Sequence, residues 1–539
     1  MQMPVLDTWA PGPAPAAFTP DAIACLAADV RTPLHVLWDP ARRGLGIASG
    51  GAPAQGGAAG YPRLGTLPPL YPEWLGDAAF RAAHRVRFGY VAGEMANGIA
   101  TGRMVAAMAG ACMLAFFGAA GLPLARLERE IDGLQAELGD GDAPAWGSNL
   151  IHSPNDPTLE EATADLYLRR GVRRISASAF MALRPAVVRF AFAGLRPGAD
   201  GRPLRARHVM AKVSRPEVAA QFLAPPPGDM LDHLVRGGSL TAAEAALAAH
   251  LPVADDLTVE ADSGGHTDNR PLTVLLPAIA GLAARLAARH GLPAGAAPRI
   301  GCAGGIGTPE AVAAAFAMGA AYVMTGTINQ AAVESGLSEA AKRMLAAAGP
   351  ADVAMAPAAD MFELGVRVQV LKRGTLFAAR AAQLYELYRR HRDLEALPAD
   401  VRARLEGEVF RAPLADIWAE THRYLLARDP AAAAAGDAEP RRRMALVFRW
   451  YLGNASHWAV AGEPSRQGDY QIWCGPAMGA FNAWAEGSFL ADPARRGVVQ
   501  IALNLLEGAA AITRAQQLRS QGLPVPAGAF RFAPRPLRP

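Results

Sequence analysis

The sequence predicts an α/β protein: a (β/α)8 TIM barrel with a small N-terminal β appendage and a C-terminal, mainly helical region. Three observations lead there. Eight short apolar runs between residues 86 and 325 alternate with stretches of helical spacing, the pattern of parallel βα units. The sixth run opens into Val259–Asn269, where two acids and two glycines precede a lone His266. The seventh and eighth end in Gly304-Gly305-Ile306-Gly307-Thr308 and Gly326-Thr327, the places where such barrels commonly hold a phosphate. A doubly wound open sheet would show the same alternation, but the two late glycine turns favour closure.

The totals fit a folded chain of more than one domain. Its 539 residues exceed one small core, and 51% hydrophobic with 19% charged residues is a globular composition. A net charge of +4, with basic residues scattered apart from Arg441-Arg442-Arg443, asks for no nucleic acid. Cys25, Cys112, Cys302 and Cys474 form no C-x-x-C pair, so free thiols in a reducing, cytoplasmic compartment are expected. Pro4, Asp7 and the prolines after them do not make an export signal. The apolar stretch Met104–Leu122 is broken by glycine and reads as a buried helix and strand, not a membrane span. No metal site is assigned.

Taken in order, residues 1–80 form the appendage. Leu34–Trp38 and Leu45–Ala48 read as two short strands joined around Asp39-Pro40, Gly50–Gly60 as a flexible loop, and His35 as structural. The barrel occupies 81–350, with strands expected at Val86–Val91, Cys112–Phe117, Gly147–Ile151, Arg174–Ser178, His208–Val213, Leu257–Ala261, Arg299–Ala303 and Tyr322–Thr325. Helical spacing fills the gaps, as in Ala125–Leu138, Leu159–Arg170 and Leu272–Arg289. Residues 351–520 are expected to form a mainly helical lid or docking region, beginning with a strong helix at Ala378–Arg392. Within it the run Ala431–Ala435 reads as an exposed connection, and 521–539 as a tail that frays from Pro524.

In a βα barrel the reactive positions are the strand C-termini and the loops after them. These supply Ala96 and Asn97 after the first strand, Asn149 on the third and Lys212 on the fifth. Gly264, Gly265 and His266 follow the sixth, Gly304 and Gly305 the seventh, Gly326 and Thr327 the eighth. Glycine lets backbone amides approach an anion that a Cβ would obstruct. Thr308 fits a helix N-cap and Pro309 the first helical position, so a helix dipole would add to them. One such turn alone is an ordinary tight βα connection; two on adjacent strands point to a phosphate. The glycines do not follow the first strand of a doubly wound unit, so FMN is favoured over NAD as the tightly bound species. His266 stands where a reacting side chain is expected, or satisfies a loop carbonyl. Lys212 ends an apolar strand and needs an anion there: a reduced flavin ring, a carboxylate, or a salt bridge to Glu260 or Asp262.

Longer strings carry a resemblance. The Gly-Gly-His turn, the Ala-Gly-Gly-Ile-Gly turn and the Gly-Thr pair together resemble FMN-dependent barrel enzymes of the nitronate monooxygenase and enoyl-acyl-carrier-protein reductase group. YVAGEMANGIA at 90–100, NLIHSPND at 149–156, EADSGGHTDNRP at 260–271, VAMAPAADMF at 353–362, VQVLKRGTLF at 368–377 and YQIWCGPAMGAFN at 470–482 narrow it. Over residues 33–515 the chain resembles the trans-acting enoyl reductases that serve polyunsaturated fatty acid synthases and acyltransferase-less polyketide synthases.

The resemblance implies bound FMN, NADPH or NADH as hydride donor, and a 2-enoyl thioester on acyl carrier protein domains as substrate. It places the flavin phosphate at Gly304, Gly305, Gly326 and Thr327, and Asn149 and Lys212 near the flavin. His266 becomes a proton or hydrogen-bond donor to the substrate, with Gly264-Gly265 letting the chain pass close to the flavin. After His266 the nitronate monooxygenases usually have a small residue and glycine; here Thr267-Asp268-Asn269 follows. An FMN-dependent nitronate monooxygenase with His266 as base and a non-catalytic synthase scaffold are the alternatives. Arg441–Arg443 or Lys372-Arg373 could meet an acidic carrier protein or be plain solvated charge, and the aromatic cluster Tyr470–Trp484 could shape an acyl channel or be ordinary core.

Overall fold

A computed structural model describes residues 5–55, 59–153, 156–199, 201–292 and 295–538. Eight parallel strands close into a barrel: Tyr90–Ala92, Leu114–Phe117, Gly147–Ile151, Arg174–Ser178, His208–Val213, Asp256–Glu260, Arg299–Ala303 and Val323–Thr325. The eighth strand pairs with the first through Val323↔Tyr90 and Thr325↔Ala92, which closes the ring. Four strands have the expected bounds. The first begins later than expected because, after the left-handed Arg85 (φ 53°) that ends the helix Ala78–His84, the chain bends through residues 87–89 before it joins the sheet. The second begins later because Cys112 is left-handed too (φ 56°).

One buried polar layer shows which end is which. At the N-terminal ends of the strands, Asp256 accepts from Arg299 Nε at 2.6 Å and lies 2.8 Å from His84 Nε2. Arg174 reaches the other ring nitrogen of His84. Asp256, His84 and Arg174 are all buried. Phe80 stacks on Tyr322 at 4.4 Å, so the helix Ala78–His84 plugs this end. The opposite, C-terminal end is left for chemistry, as barrel geometry requires.

The appendage is a five-stranded antiparallel sheet. The expected hairpin is present, with His35 opposite Ala48, and His35 packs on Trp9 at 4.0 Å. Part of the expected Gly50–Gly60 loop is a strand instead: Gly51–Pro53 pairs with Asp7–Pro11, while residues 56–58 lie outside the described residues. The buried helix Val498–Ser520 fastens this sheet to the barrel. Its Arg514 donates to the carbonyls of Asp29, Thr32 and Pro68, and its Glu507 pairs with Arg31. The same helix packs along barrel helix Pro309–Ala317, where Gly508 lets Pro309 approach closely. It and Leu272–Arg289 are long and apolar enough to cross a membrane. The first is mostly buried in the core and the second is the barrel helix after the sixth strand.

Beyond the barrel, Val353–Pro357 and Arg367–Leu371 form a hairpin. Helices Phe377–Arg390, Leu414–Arg428 and Pro440–Ala461 pack around a second apolar core that includes Phe362, Phe410, Phe448 and Tyr451. Two expectations fail in this region. The alanine run is not an exposed connection but part of the helix Pro430–Ala438. Asp429 caps it by accepting from Ala432 N, and Ala433 and Gly436 are buried against the neighbouring helices. The tail beyond Pro524 is not frayed: Trp484 Nε1 donates to Phe532 O at 2.7 Å and Arg535 N donates to Asn504 Oδ1 at 2.8 Å. Pro539 lies outside the described residues.

Candidate active site

The C-terminal ends of the strands open into one cavity of about 1160 Å³. Ala96, Asn97, Asn149, Lys212, Gly264, Gly265, His266, Gly304, Gly305, Gly326 and Thr327 all line it, so residues spread over more than 230 positions share one chamber. Its glycine turns differ in what constrains them. Gly304 is left-handed (φ 86°), and a Cβ there would sit 2.7 Å from the Ala261 carbonyl carbon. Gly305 is left-handed too (φ 71°) but faces open space. Gly326 lies outside the left-handed region, and the nearest atom to a Cβ there is Met95 Cγ at 4.0 Å. Among the described residues, the N–H groups of Gly305, Gly326 and Thr327 donate to no protein acceptor, whereas that of Gly304 continues the ladder toward Met324 of the eighth strand. Thr308 accepts from Ala311 N and Pro309 opens the helix after it, so the helix start is built as expected.

Gly264 has a different reason to be glycine. A Cβ there would come within 2.9 Å of Cys474 N and 3.0 Å of Thr327 Oγ1. The space beside it is filled by the segment Cys474-Gly475, whose Gly475 N lies 3.4 Å from Thr327 Oγ1. Close approach between two parts of this chain accounts for Gly264, where a passing flavin was expected to.

Lys212 sits at the floor between two carboxylates, 3.0 Å from Glu94 Oε1 and 3.4 Å from Glu260 Oε1. Burial opposes its charge, but Glu260 and Glu94 outweigh that and hold it well above the usual lysine range. Of the two partners expected from the sequence, Glu260 is present and Asp262 is not: its Oδ1 accepts from Gln369 Nε2 and Asn269 Nδ2 instead. Glu94 is a partner that the sequence reading missed, although it stands in the same loop as Ala96 and Asn97. Both its carboxylate oxygens are buried without a well-formed hydrogen bond. Asn149 is buried and donates to Ser176 O at 3.0 Å and Ser178 Oγ at 2.8 Å, which fixes its amide against the fourth strand.

His266 belongs to a two-residue strand, Gly265–His266, that pairs with Gln369 and Val368 of the outer hairpin. Its Nε2 lies 3.2 Å from Asp360 Oδ1. Burial lowers the affinity of the ring for a proton, but the hydrogen bond and charge of Asp360, helped by Glu260, raise it overall. Reciprocally, His266 helps hold Asp360 below the ordinary carboxylate range against the effect of burial. The residues after His266 stitch the loop. Thr267 Oγ1 donates to Ala261 O, Asp268 pairs with Arg215, and Asn269 bridges Asp262 and Gln369.

The remaining wall comes from beyond the barrel. Asn97, left-handed at φ 59°, donates from Nδ2 to Ser456 Oγ at 3.0 Å on the helix Pro440–Ala461. Of the aromatic cluster only Trp473 reaches the chamber; Tyr470 and Phe481 are buried core. The three consecutive arginines diverge. Arg442 lines the cavity, whereas Arg441 packs over Tyr388 and Arg443 over Trp418. Lys372 and Arg373 lie apart from it, on a shallow second depression.

Residues 391–470 match the family described as the inserted helical domain of [acyl-carrier-protein] S-malonyltransferase. The crystal structure of the enoyl reductase domain of MlnA, from the macrolactin biosynthesis cluster of Bacillus amyloliquefaciens, is similar at a TM-score of 0.78 and 34% identity. That match covers 83% of this chain and 99% of that one. A polyunsaturated fatty acid synthase component of Thraustochytrium sp. is 45% identical over 452 residues, which is 83% of this chain and 30% of that protein. The polyketide biosynthesis protein ThaF of Burkholderia thailandensis is 44% identical over 462 residues, 85% of this chain and 39% of that protein. The chain thus spans well under half the length of these two curated relatives.

Proposed function

Because this chain belongs to the family of enoyl reductases of polyketide and polyunsaturated fatty acid synthases, we propose that it reduces the 2,3 double bond of 2-enoyl thioesters on acyl carrier protein domains. FMN is the bound cofactor and NAD(P)H the hydride source in this reading. The observation that carries it is the set of three peptide N–H groups, at Gly305, Gly326 and Thr327, that have no protein acceptor among the described residues and follow two adjacent strands into the same chamber as Lys212 and His266.

The residues present fit FMN. Free amides at Gly305, Gly326 and Thr327 match a phosphate, with Gly304 shaping the turn before them, and the space at Gly305 and Gly326 is open toward it. The buried Glu94 Oε2, without a donor, suits an N–H of a flavin ring. When bound, FMN would relay hydride from the nicotinamide to the β-carbon of the enoyl thioester. Lys212, locked by Glu94 and Glu260, keeps positive charge at the floor and cannot drift away from it. Asn149 holds the third strand to the fourth beside the flavin site. His266 keeps Nε2 on Asp360, which leaves Nδ1–H to donate to the thioester oxygen or to protonate the α-carbon. The outer hairpin and the helix Pro440–Ala461 cover the chamber and limit water. Four free thiols accord with a reducing cytoplasm.

The test is direct. Purified protein should show a flavin spectrum, bleach anaerobically with NADPH or NADH, and regain colour on addition of a crotonyl thioester. A colourless protein, or a reduced one that the thioester leaves bleached while oxygen and a nitronate turn over, sinks the reading.

A further inference from the structure

We infer that Arg367, Arg442 and Arg449 form a second anion site on the outer wall of the cavity, which holds a phosphate ester at the far end of the substrate or of the reductant. The inference rests on the thioester and nicotinamide reading above. All three residues line the chamber. Arg442 and Arg449 stand two turns apart on the helix Pro440–Ala461 and converge on a single oxygen, Glu363 Oε1, at 2.7 and 3.4 Å. Arg367 makes no side-chain hydrogen bond or ion pair with any described residue. Two cations therefore share one carboxylate while a third lines the same chamber, and most of their N–H donors are unused among the described residues. Asp360, the other acid on this wall, is engaged by His266.

Planar guanidinium forks recognise phosphate oxygens in pairs, which suits them to this role better than to a bare structural clamp. Position argues the same way. Ser456, which joins the helix to Asn97 at the barrel rim, is seven residues from Arg449 and fourteen from Arg442. At 1.5 Å per residue that is roughly 10 and 21 Å along the helix. An anion held there lies far from the reacting carbons, at the distal end of a long ligand. The cavity, at about 1160 Å³, also exceeds the roughly 300–1,000 Å³ of a one-ligand pocket, which leaves room for a second ligand beside a cofactor. Two sources offer this chemistry: the phosphodiester of a phosphopantetheine arm, and the phosphates of the nicotinamide nucleotide.

Titration calorimetry on the full chain separates them without any turnover. One arm compares 4′-phosphopantetheine with pantetheine, the other 2′,5′-ADP with adenosine. In at least one arm the phosphorylated ligand should bind about tenfold tighter or more, and R442Q/R449Q should abolish that preference. Glu363→Gln should move it the other way, because it removes the internal anion that competes for both arginines. A response in the first arm assigns the site to the thioester arm, a response in the second to the nucleotide. The inference is overturned if neither preference depends on these arginines, or if Glu363→Gln lowers the melting temperature and weakens binding as a broken clamp would. Failure of the enoyl reductase reading would appear separately, as a thioester that does not reoxidise the reduced protein.

Discussion

Gly326→Ala isolates the phosphate cradle from the stability of the fold. At Gly326 the backbone lies at φ −124°, ψ −66°, outside the left-handed region, and the nearest atom to a new Cβ is Met95 Cγ at 4.0 Å. The methyl meets no protein atom, so the folded chain should lose less than about 0.5 kcal/mol, as at an ordinary surface site. A bound phosphate would meet that methyl. Displacing it from even one charge-assisted N–H bond costs about 1.5–3 kcal/mol, or roughly 10- to 150-fold in affinity. Flavin fluorescence after dialysis, with a thermal melt of the apoprotein, measures both quantities. Wild-type retention of FMN by a normally folded G326A would refute the placement. Gly304→Ala is a poor substitute: its φ of 86° and the Ala261 carbonyl at 2.7 Å would unsettle the loop whether or not a phosphate is there.

Asp360→Asn should shift the alkaline fall of flavin reoxidation to lower pH. His266 has a raised pKa, so its charged form persists below that value and is lost as pH climbs through it. Both side chains are more than a third exposed, so screening limits the pair to about 0.3–1 kcal/mol, under one pH unit; an unmoved profile would show that Asp360 does not tune His266. Lys212→Met should destabilise the protein by about 3–5 kcal/mol, because the buried Glu94 and the half-buried Glu260 lose their shared counterion. The loss in melting temperature should be larger at pH 8 than at pH 5, and equal losses would disprove the pairing. Thiol titration of the native protein should count two fast groups, the exposed Cys25 and Cys112, while Cys302 and Cys474, pushed by burial up to about 12, react only on unfolding.

The barrel is legible because its strands are short apolar runs and its helices carry their own caps. Thr308-Pro309 and the two glycine turns announce local geometry, and local geometry is what a sequence states most openly. The alanine run carries a signal of the same kind: Asp429-Pro430 is a cap followed by a first-turn proline, and alanine is the strongest helix former. Its composition suggests a linker, but its punctuation spells a helix, and the punctuation wins. The tail beyond Pro524 is harder. It is held by Trp484 and Asn504, whose partners across the chain no local pattern reveals.

The same distinction runs through the site. Each residue on a barrel rim can be found by counting strand ends, because the rim is set by the period of the fold. Partners on the rim itself, such as Glu260 beside Lys212, can be found the same way, but those from beyond the barrel cannot. Asp360 is 94 positions from His266, Ser456 is 359 from Asn97, and the segment Cys474-Gly475 fits against Gly264 from more than 200 away. All three come from the region after the barrel. That asymmetry has a physical origin: a barrel rim supplies convergent side chains but leaves them in water, where a histidine keeps its ordinary proton affinity and ion pairs are weak. Covering the rim changes both. The outer hairpin brings a carboxylate to His266 and the helix Pro440–Ala461 closes over Asn97. The barrel therefore determines where the reacting groups stand and holds the charge of Lys212 with its own Glu94 and Glu260, while the region outside it supplies the carboxylate that makes His266 hold its proton more strongly.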